Sequence, residues 1–121
     1  MLRWSLFALL VLSSSACGDV VFRVENTGTV PLGNLQVAGV EIGDLLPGEV
    51  TPSFIATEKV YRYVRIAAVV DGTQRSLRPI DYIGEKPLRP GSYRYLVSTT
   101  VDGALLLACV EDEGEPNIMC R

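Results

Sequence analysis

The chain has 121 residues, 48% of them hydrophobic, and a formal net charge of −3. That length suffices for one compact domain and is too short for two, and the acidic balance argues against a nucleic-acid partner. The lack of histidine excludes a Ser-His-Asp or Cys-His catalytic arrangement and removes the commonest metal ligand.

The first 16 residues have the three zones of a secretory signal peptide. Arg3 is a lone positive charge, residues 6–12 form an apolar run, and residues 13–16 are small. Because a helix that spans a bilayer needs ~20 residues, this run is too short for a permanent transmembrane segment. We therefore predict a signal peptide over residues 1–16 and a single domain over residues 17–121.

The end of this segment resembles the lipobox of bacterial lipoproteins. Small residues precede Cys17 and Gly18 follows it, although Ser14 stands where the usual pattern has leucine. The resemblance implies acylation of the Cys17 sulfur and anchoring to a membrane. With Gly18 after the cysteine, we expect that the lipoprotein can be transported to an outer membrane, where the domain would face the periplasm. In an organism with one membrane, the domain would lie on the cell surface. The alternative is ordinary cleavage after Ala16, which would release a soluble protein.

The cysteine count fits this interpretation. The chain holds Cys17, Cys109 and Cys120, so a lipid on Cys17 leaves an even pair. In an exported protein such a pair predicts a disulfide. We expect Cys109 and Cys120 to hold the C-terminal tail against the last strand. Two buried free thiols are the alternative.

Charge is unevenly distributed along the domain. Removing residues 1–16 leaves 10 basic and 14 acidic side chains, a net charge of −4. Residues 59–94 hold eight basic and three acidic side chains between acidic flanks. We interpret this as charge complementarity between neighbouring strands. The alternative is a basic binding surface formed by Arg62, Arg65, Arg75 and Arg78.

Strand and turn signals dominate after Cys17, with no segment of helical period. In "DVVFRVEN", apolar Phe22 and Val24 alternate with Arg23 and Glu25, which is typical of a half-buried strand. Glycines interrupt "LGNLQVAGVEIGDLL" and indicate a turn or bulge near Gly39.

Two Asp-Gly pairs predict hairpins in the second half of the chain. Asp71-Gly72 and Asp102-Gly103 each separate two apolar runs, and such pairs favour turns in which both central residues have positive φ. We count seven or eight short strands. Their spacing predicts an all-β fold, an immunoglobulin- or fibronectin-like antiparallel β-sandwich.

Tyr93 follows the Pro-Gly turn of "LRPGSYRY" and resembles the tyrosine corner of such domains, in which the hydroxyl bonds to nearby backbone. Tyr93, Tyr95, Val97, Thr99 and Val101 would share one face of the strand that follows. We expect this face to be core. A stacking platform for sugar is the alternative.

The segment "LRPIDYIGEKPLRPGSYRY" resembles a run in small bacterial lipoproteins of undetermined activity, in which an "IDY-G-E-PL" loop precedes a "G-Y-Y" strand. The resemblance implies a sandwich on a lipid anchor and no particular activity. We expect the segment to pack across one end of the sandwich. The side chains it could show to a partner are Asp81, Tyr82, Glu85 and Lys86.

No catalytic constellation, metal site or cofactor motif emerges from the sequence. We therefore expect a non-catalytic, membrane-anchored envelope protein that contacts another envelope protein. The alternatives are a small-ligand or glycan binder that uses the basic stretch, and an enzyme inhibitor that presents one loop.

Overall fold

The computed structural model describes residues 18–78, 86–112 and 120. Its eight β-strands are β1 (Val20–Asn26), β2 (Leu32–Val37), β3 (Val40–Leu45), β4 (Phe54–Ile55), β5 (Ile66–Val70), β6 (Thr73–Leu77), β7 (Gly91–Thr99) and β8 (Leu105–Glu111). No helix within these described ranges is long and apolar enough to cross a membrane.

The strands form two four-stranded sheets, in the orders β4-β1-β7-β8 and β3-β2-β5-β6. Alternate residues of each strand point into the space between the sheets. Phe22, Val24 and Tyr95 of the first sheet join Leu35 and Ile66 of the second in one buried cluster. The predicted all-β sandwich is therefore confirmed.

One pairing differs from the purely antiparallel sandwich that the sequence predicts. β1 runs parallel to β7, in register from Val20 opposite Gly91 to Asn26 opposite Val97. Parallel strands need a long crossover connection, and here the whole second sheet and β4 lie between the two strands in sequence. No local sequence signal marks such a distant pair.

Two of the turns are tight two-residue hairpins: the predicted Asp71-Gly72 hairpin, and one at Ala38-Gly39, where the sequence indicated a turn or bulge. Ala38 and Gly39 have φ of 51° and 82°, and Asp71 and Gly72 have φ of 49° and 78°. Each pair joins adjacent antiparallel strands, as type I′ turns require.

The second Asp-Gly pair forms a different turn from the one predicted. Of Asp102 and Gly103, only Gly103 has positive φ, at 89°. The Gly103 amide donates to the Thr100 carbonyl, and the Thr100 amide donates to the Ala104 carbonyl. This is the three-residue hairpin loop with a terminal left-handed glycine. Val101 lies in this turn, fully exposed, and not on the buried face of β7.

The strand directions define two ends of the sandwich. β1 starts at the end of the sandwich where residue 18 lies, and the successive connections between strands then alternate between the far end and this one. We call this the entry end; it holds residues 18–19, 38–39, 56–65, 78 and 86–90. The opposite end, the far end, holds residues 27–31, 46–50, 71–72 and 100–104.

Candidate functional site

The start of the domain is fixed to the entry end by backbone hydrogen bonds. The Gly91 amide donates to the Asp19 carbonyl at 3.1 Å, and the Ala56 amide donates to the Val20 carbonyl at 2.9 Å. Cys17 lies outside the described residues. Gly18, the first described residue, lies at this end.

The contact loop predicted from the sequence is described only in part. Asp81, Tyr82 and Glu85 lie outside the described residues, and Lys86 is exposed at the entry end. Leu88, two residues further on, is buried, and its amide donates to the Val60 carbonyl at 2.8 Å. This part of the segment therefore packs across the end of the sandwich, as predicted.

The four arginines predicted as a basic surface do not form one patch. Arg65 and Arg78 line one shallow depression of about 140 Å³ on the outer side of the second sheet. Arg75 points to the far end, where its Nη2 donates to the Asp102 carbonyl at 2.9 Å. Arg62 lies over the Tyr63 ring, 5.5 Å from its centroid. Arg62, Arg65 and Arg78 therefore lie at the entry end, with Arg65 and Arg78 in one depression, and Arg75 is separated from them.

Four other charged side chains form a network on the outer side of the first sheet. Arg23 donates from Nε and Nη2 to the two carboxylate oxygens of Asp112, both at 2.7 Å. Arg94 donates from Nη1 to Glu25 at 3.0 Å, and its Nε lies 3.7 Å from Asp112. The network joins β1, β7 and the end of β8, which supports the predicted charge complementarity between strands.

The network changes the proton affinity of its most buried carboxyl group. The Asp112 side chain is 14% exposed. The hydrogen bonds from Arg23 lower the pKa of Asp112, partly offset by desolvation of the carboxylate, and the charges of Arg23 and Arg94 lower it further. The same hydrogen bonds raise the pKa of Arg23. Arg23 and Asp112 are therefore held charged and paired, which indicates a structural role.

The two tyrosines at the start of β7 are core residues. Tyr93 and Tyr95 are both buried. The Tyr93 hydroxyl donates to the Arg89 carbonyl at 2.6 Å, and the Tyr95 hydroxyl donates to the Tyr61 carbonyl at 2.7 Å. The first bond has the geometry of the predicted tyrosine corner. Burial excludes the sugar-stacking alternative for this pair.

The geometry fits the predicted disulfide between Cys109 and Cys120. The structure joins their sulfurs with the Cα atoms 5.4 Å apart, within the usual range for disulfides. The Cys120 amide donates to the Cys109 carbonyl at 3.2 Å, and Cys120 is buried. The end of the chain is thereby attached to the outer edge of β8.

Exposed apolar side chains lie toward both ends of the sandwich: Ile55 and Tyr63 toward the entry end, and Leu46, Val101 and Leu106 toward the far end. Leu46 is 54% exposed and Val101 is fully exposed, each in a far-end loop. Leu106, 48% exposed, is the second residue of β8 and pairs with Ser98 beside the Val101 turn. Sequence reasoning missed this surface because strand alternation assigned Val101 to the core face.

A polar groove lies on the outer side of the second sheet. Its volume is about 350 Å³, and Ala67 and Gly43 form a floor of small residues. Asn34, Gln36, Glu41 and Gln74 supply amide and carboxylate groups around it. No group of three or more potential metal ligands occurs in the part of the chain that the structure describes.

Comparison with known proteins adds information on the fold alone. No protein-family model matches the chain, and no curated protein matches it. The fold is similar to that of a protein from Eubacterium rectale solved by NMR, with a TM-score of 0.52 and 11% sequence identity. The match covers 82% of this chain and 93% of that one.

Proposed function

We propose that this protein is a non-catalytic lipoprotein of the bacterial cell envelope, anchored through acylated Cys17 and binding a partner protein through its far end. One observation carries the proposal. Gly18, which follows the predicted acylation site, lies at the opposite end of the sandwich from the exposed apolar residues Leu46 and Val101.

An anchor at the entry end directs the far end away from the membrane. β7 has nine residues, and at about 3.3 Å per residue a strand of this length spans ~30 Å. The far end would therefore project beyond the lipid headgroups. Lys86 of the predicted contact loop lies at the entry end, so the far end is the better position for contact with a protein.

The chemistry of the far end fits an interface with a basic protein. Apolar Val101 and Leu106 would form the centre of the contact, since buried interface centres are apolar and their rims polar. Leu46, in the loop after β3, would add a further apolar position. Glu49, Asp71 and Asp102 are the charged residues of the far-end loops, and Arg75 of β6 also reaches this end. The expected partner presents an apolar spot bordered by basic side chains.

Site-specific photocrosslinking in the native host tests this proposal. Benzoylphenylalanine at Val101 should give one discrete crosslinked species, and the same probe at exposed Thr57 of the entry end serves as the control. The variants Leu46→Asn and Leu106→Asn should reduce the Val101 crosslink severalfold without changing the melting temperature by more than a few degrees. Equal yields at the two probe positions, or a yield unaffected by both variants, would exclude the far end as the contact.

The polar groove favours a second candidate function, binding of a small hydroxyl-rich ligand such as a glycan fragment. The amides of Asn34, Gln36 and Gln74 can donate and accept hydrogen bonds, and Glu41 can accept them. A glycan array followed by titration calorimetry tests this candidate. A ligand whose affinity falls at least tenfold in Gln36→Ala would support it, and an array with no ligand would reject it.

A further inference from the structure

The two ends of the sandwich differ in charge. The entry-end loops hold six basic side chains and the carboxylates of Asp19 and Glu58, and Glu111 and Asp112 lie beside them at the end of β8. Five of the basic side chains are exposed: Lys59, Arg65, Arg78, Lys86 and Arg89. The described far-end loops hold the carboxylates of Glu49, Asp71 and Asp102, and one basic side chain, Arg75 of β6, reaches the Asp102 carbonyl there. The basic surface is therefore at the end where the predicted anchor is attached.

Arg65 and Arg78, at the ends of two neighbouring strands of this end, lie opposite each other. Ile66 of β5 pairs with Leu77 of β6. Arg65 precedes Ile66 and Arg78 follows Leu77, so extending the antiparallel pairing by one residue sets Arg65 opposite Arg78. Like charges directly opposite each other are destabilising. Both arginines border a depression that also contains Gln36 and Ser76. A bound anion would relieve the repulsion and accept hydrogen bonds from all four side chains.

Glu58, the carboxylate closest to Arg65, is not among the residues that line this depression. Its carboxylate lies 3.5 Å from Arg65 Nη2, and both side chains are about half exposed. The contact holds Arg65 over the Ala38-Gly39 turn, where a Cβ on Gly39 would lie only 3.1 Å from the same Nη2 atom. Arg65 is thus positioned by one carboxylate and keeps further donors for a second acceptor.

We propose that the entry end sits on anionic lipid headgroups of the membrane that holds Cys17, with Arg65 and Arg78 binding one headgroup phosphate between them. This inference rests on the proposed lipid anchor. It assigns the basic stretch of the sequence to the membrane and gives the anchored domain a fixed orientation, with the far end outward.

The overall acidity of the domain does not oppose this arrangement. Electrostatic interactions are screened over ~8 Å at physiological ionic strength. The far-end carboxylates lie about one strand length, ~30 Å, from the headgroups, so they contribute little to the interaction. Asp112, which follows β8 at the entry end, is paired with Arg23 and Arg94.

An exposed aromatic side chain at the same end fits a lipid contact. Tyr63 is 44% exposed and stacks with Arg62. Tyrosine is enriched at membrane interfaces, where its ring lies at the level of the headgroups.

The test uses the mature lipidated protein, reconstituted into vesicles with dansyl-labelled headgroups. Trp4 is the one tryptophan and lies in the predicted signal peptide. A tryptophan introduced by substitution is therefore the only tryptophan energy donor in the mature protein. We expect energy transfer from Tyr63→Trp to be severalfold greater than from Val101→Trp in vesicles that contain phosphatidylglycerol. This difference should shrink in phosphatidylcholine vesicles and in high salt.

A charge-matched pair of variants tests the arginines themselves. Arg65→Gln with Arg78→Gln, in the Tyr63→Trp background, should reduce the transfer to its phosphatidylcholine value. Thr73→Glu with Gln74→Glu changes the net charge equally near the far end and should leave the transfer unchanged. Equal effects of the two double variants, or transfer that is independent of lipid charge, would overturn the inference.

The mass of the N-terminal peptide of the same sample separates this inference from the proposed function. If Cys17 carries acyl chains but the energy transfer to the labelled lipids does not depend on lipid charge, the proposed orientation is refuted and the proposed anchor is not. A Cys17 without acyl chains refutes the anchor, and the orientation with it.

Discussion

Replacing Asp112 with asparagine should destabilise the domain by an amount that the structure allows us to estimate. Asp112 accepts two 2.7 Å hydrogen bonds from Arg23. Hydrogen bonds to charged groups contribute about 1.5–3 kcal/mol, whereas exposed ion pairs contribute about 0.2–1 kcal/mol. The Arg23 side chain is 36% exposed and that of Asp112 is 14% exposed. We therefore expect a loss of about 1–2 kcal/mol at pH 7.

The effect should depend on pH in a defined direction. The pKa of Asp112 is lower in the folded protein than its ordinary value, chiefly because of the hydrogen bonds from Arg23. A carboxyl group of this kind stabilises the fold fully above its unfolded-state pKa and loses that contribution as pH falls through the folded-state pKa. The parent and Asp112→Asn should therefore differ at pH 7 and converge in acid.

Thermal unfolding followed by circular dichroism measures the effect. For a domain of about 100 residues, a loss of 1–2 kcal/mol lowers the melting temperature by roughly 5–10 °C. Glu41→Gln, at an exposed position of β3, is the control and should change little. The reasoning is refuted if Asp112→Asn melts like the parent at pH 7, or if a double-mutant cycle with Arg23→Gln gives no coupling energy.

Three further predictions concern the parts that hold the loops and the tail. Asn26 is fully buried and makes three side-chain hydrogen bonds to backbone groups, so Asn26→Ala should cost about 2–4 kcal/mol in urea denaturation, and a midpoint like the parent's would contradict its role. Tyr93→Phe removes the bond to the Arg89 carbonyl and should cost about 1 kcal/mol; an unchanged melting temperature would show that the bond contributes nothing. Cys109→Ser with Cys120→Ser should cost about 3 kcal/mol, and intact-mass measurement of the parent before and after reduction should show a gain of two hydrogens. Two free thiols in the exported parent would argue against the disulfide.

Local patterns in the sequence predicted the strands and most turns because the relevant forces act between near neighbours. Alternation of Phe22 and Val24 with Arg23 and Glu25 follows from the two-residue period of a strand. The Asp71-Gly72 turn follows from the positive φ that a two-residue hairpin demands. Asp102-Gly103 is also an Asp-Gly pair, but it forms a longer turn. Hydrogen bonds at Thr100, and not the identity of these two residues, set the length of this loop.

The charge network could not be predicted because its members meet only through long-range pairing. Arg23 and Asp112 are 89 residues apart, and they are brought together by the parallel pairing of β1 with β7 and by β8 on its other side. The basic stretch was predicted only as a group. The β5–β6 hairpin returns Arg78 beside Arg65 and sends Arg75 toward Asp102, which separates residues that are close in sequence.

The central claim is that Cys17 anchors the domain to a membrane. Its most direct test is the mass of the N-terminal peptide of the mature protein, purified from its own host or from a bacterium with a lipoprotein pathway. Our account predicts a peptide that begins at Cys17 and carries acyl chains. A peptide that begins at an unmodified Cys17, or that retains residues 1–16, would contradict it.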